Sequence, residues 1–208
     1  SATGAVSAAK GNVPKKPHEF AAAIDLGSNS FHMIVARLQN GQPVIIDRLR
    51  EMVRLADGMD HDGNLLPLPQ QRALECLRRF GQRIAGFPAG SVRVVGTNTL
   101  RNARNAEAFL AEAEPALGHS IDIISGVEEA RLIYIGAAHG LAANEQQRLV
   151  MDIGGSSTEL IIGTGHEPRY MESLEMGCVT VTQNYFHDDN ITARRIEKAW
   201  LHVQTELE

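Results

Sequence analysis

Two stretches decide how this chain folds: Ala23-Ile24-Asp25-Leu26-Gly27-Ser28-Asn29-Ser30 and, 127 residues further on, Met151-Asp152-Ile153-Gly154-Gly155-Ser156-Ser157. Each is a short apolar run that ends on an aspartate and breaks at a turn of small residues. Recurrence at that spacing indicates two related halves rather than a stack of short repeats. Outward from the first stretch, runs at 31–38 and 44–46 follow, with Asn40-Gly41 as a tight-turn signal between them. Three short runs joined by tight turns read as an antiparallel meander.

The pattern then changes period. Pro67 and Pro69 open a helix reaching about residue 85, with Leu74, Leu77 and Ile84 on one face. A strand at 91–95, a helix at 103–113 halted by Pro115, a strand at 121–124 and a helix at 126–139 come next. The order β-β-β-α-β-α-β-α predicts an α/β fold with a mixed sheet. From Arg148 the strand pattern restarts, with runs at 148–153, 158–162 and 169–174 and then helices at 179–186 and from Thr192. Ile196, Ala199, Trp200, Val203 and Leu207 form an apolar stripe on the last helix, read as core packing. The second half has its opening strands and helices but not the later strands. The expected division is therefore a first domain at 19–140 and the start of a second, incomplete one at 141–208, so the chain is read as a fragment.

Composition narrows the function classes. With 208 residues, 43% hydrophobic and 22% charged, the chain can bury a sizeable core. Its formal charge of −5 argues against a nucleic-acid coat or a binder of anionic membranes. No apolar run approaches the ~20 residues of a membrane span. Cys76 and Cys178 are too few for a disulfide framework and read as buried free thiols in a reducing compartment. Residues 1–18, rich in Gly, Ala and Ser and basic at Lys15 and Lys16, read as a disordered leader without a signal-peptide core. These features together place the protein in the cytoplasm.

The two turns carry the chemistry. A turn of Gly, Ser and Asn lets backbone N–H groups converge, and such concavities hold phosphate oxygens. A carboxylate beside phosphate repels it unless a cation lies between, and hard Mg²⁺ meets that need. Glu159, seven residues after Asp152, returns on a hairpin to the same end and joins the candidate metal shell. One such turn alone is most simply a plain hairpin with a capping Asp; the pair at matching positions favours a site. Ser125 and Glu128 form a capping box, which leaves Glu129 either a general base or a first-turn acid favoured by the helix dipole. Arg101, after Gly96-Thr97-Asn98-Thr99, is either a phosphate clamp or a solvated side chain. His32, inside a strand, reads as a core residue or a support for the site. There is no P-loop, no H-E-x-x-H and no paired C-x-x-C.

Five motifs in order, 19–33, Gly96 to Arg101, Ser125 to Arg131, Asp152 to Leu160 and Met176 to Val179, resemble the exopolyphosphatase/guanosine pentaphosphate phosphatase family. The flavour of 20–33 is closer to exopolyphosphatase. The resemblance implies two ribonuclease-H-like domains of the actin/Hsp70/sugar-kinase superfamily, the first with a mixed five-stranded sheet, and a cleft between them. It implies Glu129 as catalytic base. Asp25, Asp152 and Glu159 fall at metal positions, and Asn29, Ser30, Arg101, Gly154, Gly155, Ser156 and Ser157 at phosphate positions. Ser156 and Asn98 depart from the family pattern, which more often has glycine at the first and His or Ala at the second. The implied activity is metal-dependent removal of the terminal phosphate of inorganic polyphosphate, or of guanosine pentaphosphate. Three other readings remain: a fragment that binds either without turnover, an inactive fragment of an active enzyme, and a kinase of the same superfamily. Mg²⁺, or Mn²⁺ in its place, and a monovalent cation are the implied cofactors. A homodimer of the full-length protein, no nucleic acid, no integral membrane contact and a cytoplasmic site, with peripheral contact at the inner membrane, complete the expectations.

Overall fold

The computed structural model describes residues 19–40, 42–141, 146–188 and 190–208. The expected leader and Gly41 of the tight turn lie outside them. Strands β1 (Phe20–Leu26), β2 (Phe31–Gln39) and β3 (Gln42–Glu51) form the antiparallel meander. Helix α1 (Pro67–Arg83) leads to β4 (Val92–Gly96), which pairs parallel with β1. Helices α2 (Asn98–Asn102) and α3 (Ala106–Leu117) precede β5 (Asp122–Ile123), parallel to β4. The sheet order is β3-β2-β1-β4-β5, the ribonuclease-H-like arrangement, mixed and five-stranded as expected.

Alternation explains the core. In β1, Ala22, Ile24 and Leu26 point inward while Asp25 stays exposed. They meet Leu74, Leu77 and Phe80 of α1 and Phe109, Ala113 and Leu117 of α3 in one continuous cluster. Pro115 does not end α3: it costs one hydrogen bond in the last turn, and the helix runs two residues further, to Leu117, before left-handed Gly118 (φ 83°).

Helix α4 (Gly126–His139) follows, then β6 (Gln147–Ile153), β7 (Thr158–Thr164) and β8 (Glu167–Leu174) as a separate antiparallel sheet. The expected division at residue 140 falls just after α4, and α4 packs on β7 and β8. Ala130, Tyr134 and Ala138 bury against Ile161, and the Tyr134 hydroxyl donates to the Gly165 carbonyl at 3.2 Å. Gly163 makes room for that ring, since a Cβ there would lie 2.4 Å from Tyr134 Cζ. Helices α5 (Cys178–Tyr185) and α6 (Ala193–Glu206) close the described chain. The stripe on α6 is not core as expected: only Ala199 is buried, and Ile196, Trp200 and Leu207 are exposed. Leu149, Met151 and Ile153 of β6 are exposed too. No helix among the described residues is long and apolar enough to cross a membrane.

Candidate functional site

The register of each hairpin sets the site. Asp25 faces His32 across β1 and β2, and Asp152 faces Glu159 across β6 and β7. Gly27 and Gly154 each begin a turn so tight that a Cβ would lie 2.9 Å and 3.0 Å from the carbonyl oxygen three residues on. The turns also meet. A Cβ on Gly155 would lie 3.1 Å from Asn29 Cβ and 3.4 Å from Asn29 N, so the two halves approach backbone to backbone here.

Between them is a cleft of about 400 Å³ lined by Asp25, Glu129, Asp152 and Glu159, by Asn29 and Ser30, and by Gly154, Gly155, Ser156 and Ser157. Ten of the eleven residues singled out from sequence thus share one cavity. The exception is Arg101, which stands behind Glu129: its Nη1 donates to the Ile124 carbonyl at 2.7 Å and lies 3.5 Å from Glu129 Oε2. In this geometry it touches the candidate base rather than the cleft wall. A larger hollow of about 830 Å³ beside Pro67 and Arg72 contains one acid, Asp57, and no acidic cluster.

Helix capping places Glu129. Ser125 Oγ accepts from the Glu128 N–H at 3.2 Å, as expected. The reciprocal half of the capping box does not form, because the Glu128 carboxylate pairs with Arg131 at 2.7 Å. Glu129 turns inward instead. Burial first, then the charge of Glu159, pushes its carboxyl up to about 7, with Arg101 opposing. Asp25 keeps contact with solvent in the cleft, yet protein crowds it on several sides. Burial and then the charges of Asp152 and Glu159 push its carboxyl up to about 6. Glu159 is 2% exposed and accepts from Ser173 Oγ at 2.8 Å; burial raises its carboxyl as well.

Four carboxylates around one cavity leave negative charge that a cation would relieve. The candidate donors are all oxygen, which suits a hard divalent ion. Among the described residues no three His, Cys, Asp or Glu side chains are gathered closely enough to hold a metal unaided. An ion there would take its remaining ligands from water and phosphate, which is the habit of Mg²⁺.

Sequence reasoning missed Arg50 and Cys178 on the cleft wall and understated His32, whereas Ser28 and Thr97, both in stretches singled out as amide and hydroxyl donors, do line it. His32 Nε2 is 2.8 Å from Ser30 Oγ, and burial, then Arg50, lowers its pKa. Cys178 is exposed, against the expectation of two buried thiols; only Cys76 is buried, its thiol pushed up to about 12 by burial and then by Glu51.

The Ppx/GppA phosphatase family model matches residues 34–208. The chain belongs to that family. A protein of Vibrio vulnificus described as guanosine-5′-triphosphate,3′-diphosphate pyrophosphatase is 49% identical over 178 residues, covering 86% of this chain and 36% of its own length. A protein of Aeromonas hydrophila with the same description is 47% identical, covering 90% of this chain and 38% of its own. The chain thus spans about a third of the length of these curated relatives. A crystal structure of an exopolyphosphatase-like protein superposes with TM-score 0.83 at 30% identity, covering 90% of this chain and 60% of that one. An Aquifex aeolicus Ppx/GppA enzyme gives 0.73 at 29%, covering 90% and 62%. Both curated relatives carry the guanosine-nucleotide description, whereas the flavour of 20–33 led the expectation toward exopolyphosphatase.

Proposed function

We propose that the parent protein removes the terminal phosphate from the 5′-triphosphate of guanosine pentaphosphate. The observation that carries the reaction class is the meeting of the two turns, which brings amide-rich loops and four carboxylates to one cleft. The terminal phosphoryl group would rest on the turn N–H groups of Asn29, Ser30 and 154–157. Asp25, Asp152 and Glu159 would share in holding Mg²⁺, or Mn²⁺ in its place, with water and phosphate oxygens completing the shell. A bound ion of that kind supplies charge neutralisation at the phosphate oxygens.

Glu129 is the candidate base. A carboxyl held near 7 takes a proton from water better at neutral pH than an ordinary glutamate. It would draw one proton from a water in line with the bridging oxygen. That water oxygen bonds to phosphorus, the phosphoanhydride bond breaks, and the electron pair leaves on the diphosphate. Arg101 would hold the Glu129 carboxylate in place and steady its charge between turnovers.

The substrate reading rests on the curated relatives at 47–49% identity. A second reading, hydrolysis of inorganic polyphosphate, is favoured by the exopolyphosphatase-like structure at TM-score 0.83. Side-by-side orthophosphate release from the two substrates by the full-length protein separates them. Glu129→Gln is expected to lower turnover about 10²–10⁴-fold while substrate binding persists. Wild-type turnover in that variant refutes the assignment.

A further inference from the structure

The first turn is held from behind by a strained peptide. Arg54 has φ 53°, the left-handed region that bulky side chains avoid. Among the described residues the only other non-glycine with positive φ is Asn40, beside the hairpin turn, where asparagine is ordinary. Arg54 lies between buried Val53 and Leu55, which fix the chain on both sides. Its N–H donates to the Asn29 carbonyl at 2.8 Å, and the Ala56 N–H donates to the Ser28 carbonyl at 2.9 Å. A trans peptide points its N–H opposite its C=O. Drawing those two carbonyls toward 54–56 therefore turns the N–H groups of Asn29 and Ser30 the other way, toward the cleft and Gly155.

One side chain secures the strained peptide. Arg72 of α1 donates from Nε to the Val53 carbonyl at 3.0 Å and from Nη2 to the Arg54 carbonyl at 3.1 Å. A planar guanidinium spans two successive carbonyls with fixed geometry; an ammonium does not. Ser28 is braced separately, its Oγ accepting from Thr99 Oγ1 at 2.7 Å.

We propose that Arg72 is a positioning residue for the first phosphate turn: it locks Arg54 in the left-handed conformation, and that peptide aims the amides of Asn29 and Ser30 at bound phosphate. The inference rests on the proposed phosphate-binding role of that turn. Glycine enters the left-handed region freely, which gives a decisive test. In the full-length protein, Arg72→Met is expected to raise KM for guanosine pentaphosphate by about 10-fold or more, with a smaller fall in kcat. Arg72→Lys is not expected to rescue it. The double variant Arg54→Gly with Arg72→Met is expected to recover KM to within about 3-fold of Arg54→Gly alone. Thermal midpoints run in parallel separate this from general unfolding, and Arg72→Gln, which keeps one donor pair, replaces Arg72→Met if that variant does not fold.

Unchanged KM in Arg72→Met, or no recovery in the double variant, overturns the proposal. If the wild-type protein does not turn over guanosine pentaphosphate, the function reading fails on its own. Calorimetric binding of inorganic phosphate across the same variants then reads the inference, with the same pattern expected and a flat series overturning it.

Discussion

The two small-residue turns share a sequence pattern and a register, but the molecule supports them differently. The first is braced by the loop at 54–56, strained and pinned by Arg72. The second is braced by the start of α5: the N–H groups of Cys178 and Val179 donate to the carbonyls of Gly154 and Gly155 at 3.0 and 2.8 Å. A helix start supplies unpaired N–H groups by construction, so no strain is required there. The position seven residues after each aspartate differs as well. It is half-buried His32 in one hairpin and buried Glu159 in the other. A duplicated scaffold fixes where side chains project, and substitution at one matching position sets how acidic each side becomes.

The largest expected effect comes from breaking the second brace. A Cβ on Gly177 would lie 2.4 Å from the Gly155 carbonyl oxygen and 2.6 Å from Ser156 N, both backbone atoms that cannot step aside. Gly177→Ala should therefore destabilise the second half by about 1–3 kcal/mol and abolish phosphate binding, read by thermal melts and calorimetry. A variant with wild-type affinity would show that the turn is not set by this contact. Next comes the asymmetry at the seventh position. Glu159→Gln should cost about 10–100-fold in turnover and shift the Mg²⁺ dependence to higher concentration. His32→Gln should cost less than about 10-fold and leave that dependence in place; equal effects would dissolve the distinction.

The smallest effect is on stability against pH. Glu129 and Asp25 have folded-state pKa values above their ordinary ones, about 7 and about 6. Their contribution is then fully present below about pH 4 and is lost as pH rises through those values. Without divalent ions the melting temperature should fall across that window. Glu129→Gln should flatten the fall and melt higher than wild type at pH 8 by about 1–3 kcal/mol of stability, with the gap closing near pH 4.5. Identical pH profiles would show that the Glu129 carboxyl is not raised above its ordinary value.

The comparison also explains what the sequence could reveal. Asp25, Asp152 and the turn residues were legible because the same aspartate and small-residue turn recurs at matching positions in the two halves. Glu159 was legible because strand residues alternate, so a short hairpin returns it opposite Asp152. Arg50 was not. Counted back from the pairing of Gln39 with Gln42, the residue opposite His32 would be Leu49; a bulge at Val35/Ala36 shifts the register, pairs Arg50 with His32 and sends Leu49 toward the core. Arg101 was legible as a site residue but not in its position, which depends on how α2 and α4 pack. The exposed stripe on α6 shows the limit of periodicity, which marks an apolar face without naming what covers it.

Helix α4 follows the strands of the first sheet in sequence but is seated on the second sheet through Tyr134, Ala130 and Ala138. Glu129 therefore rides with Asp152 and Glu159, whereas Arg101 and Asp25 ride with the first sheet. Any parting of the two lobes lengthens the 3.5 Å Arg101–Glu129 contact. The candidate base and its counter-charge are thus carried by the opposite lobes that form the cleft.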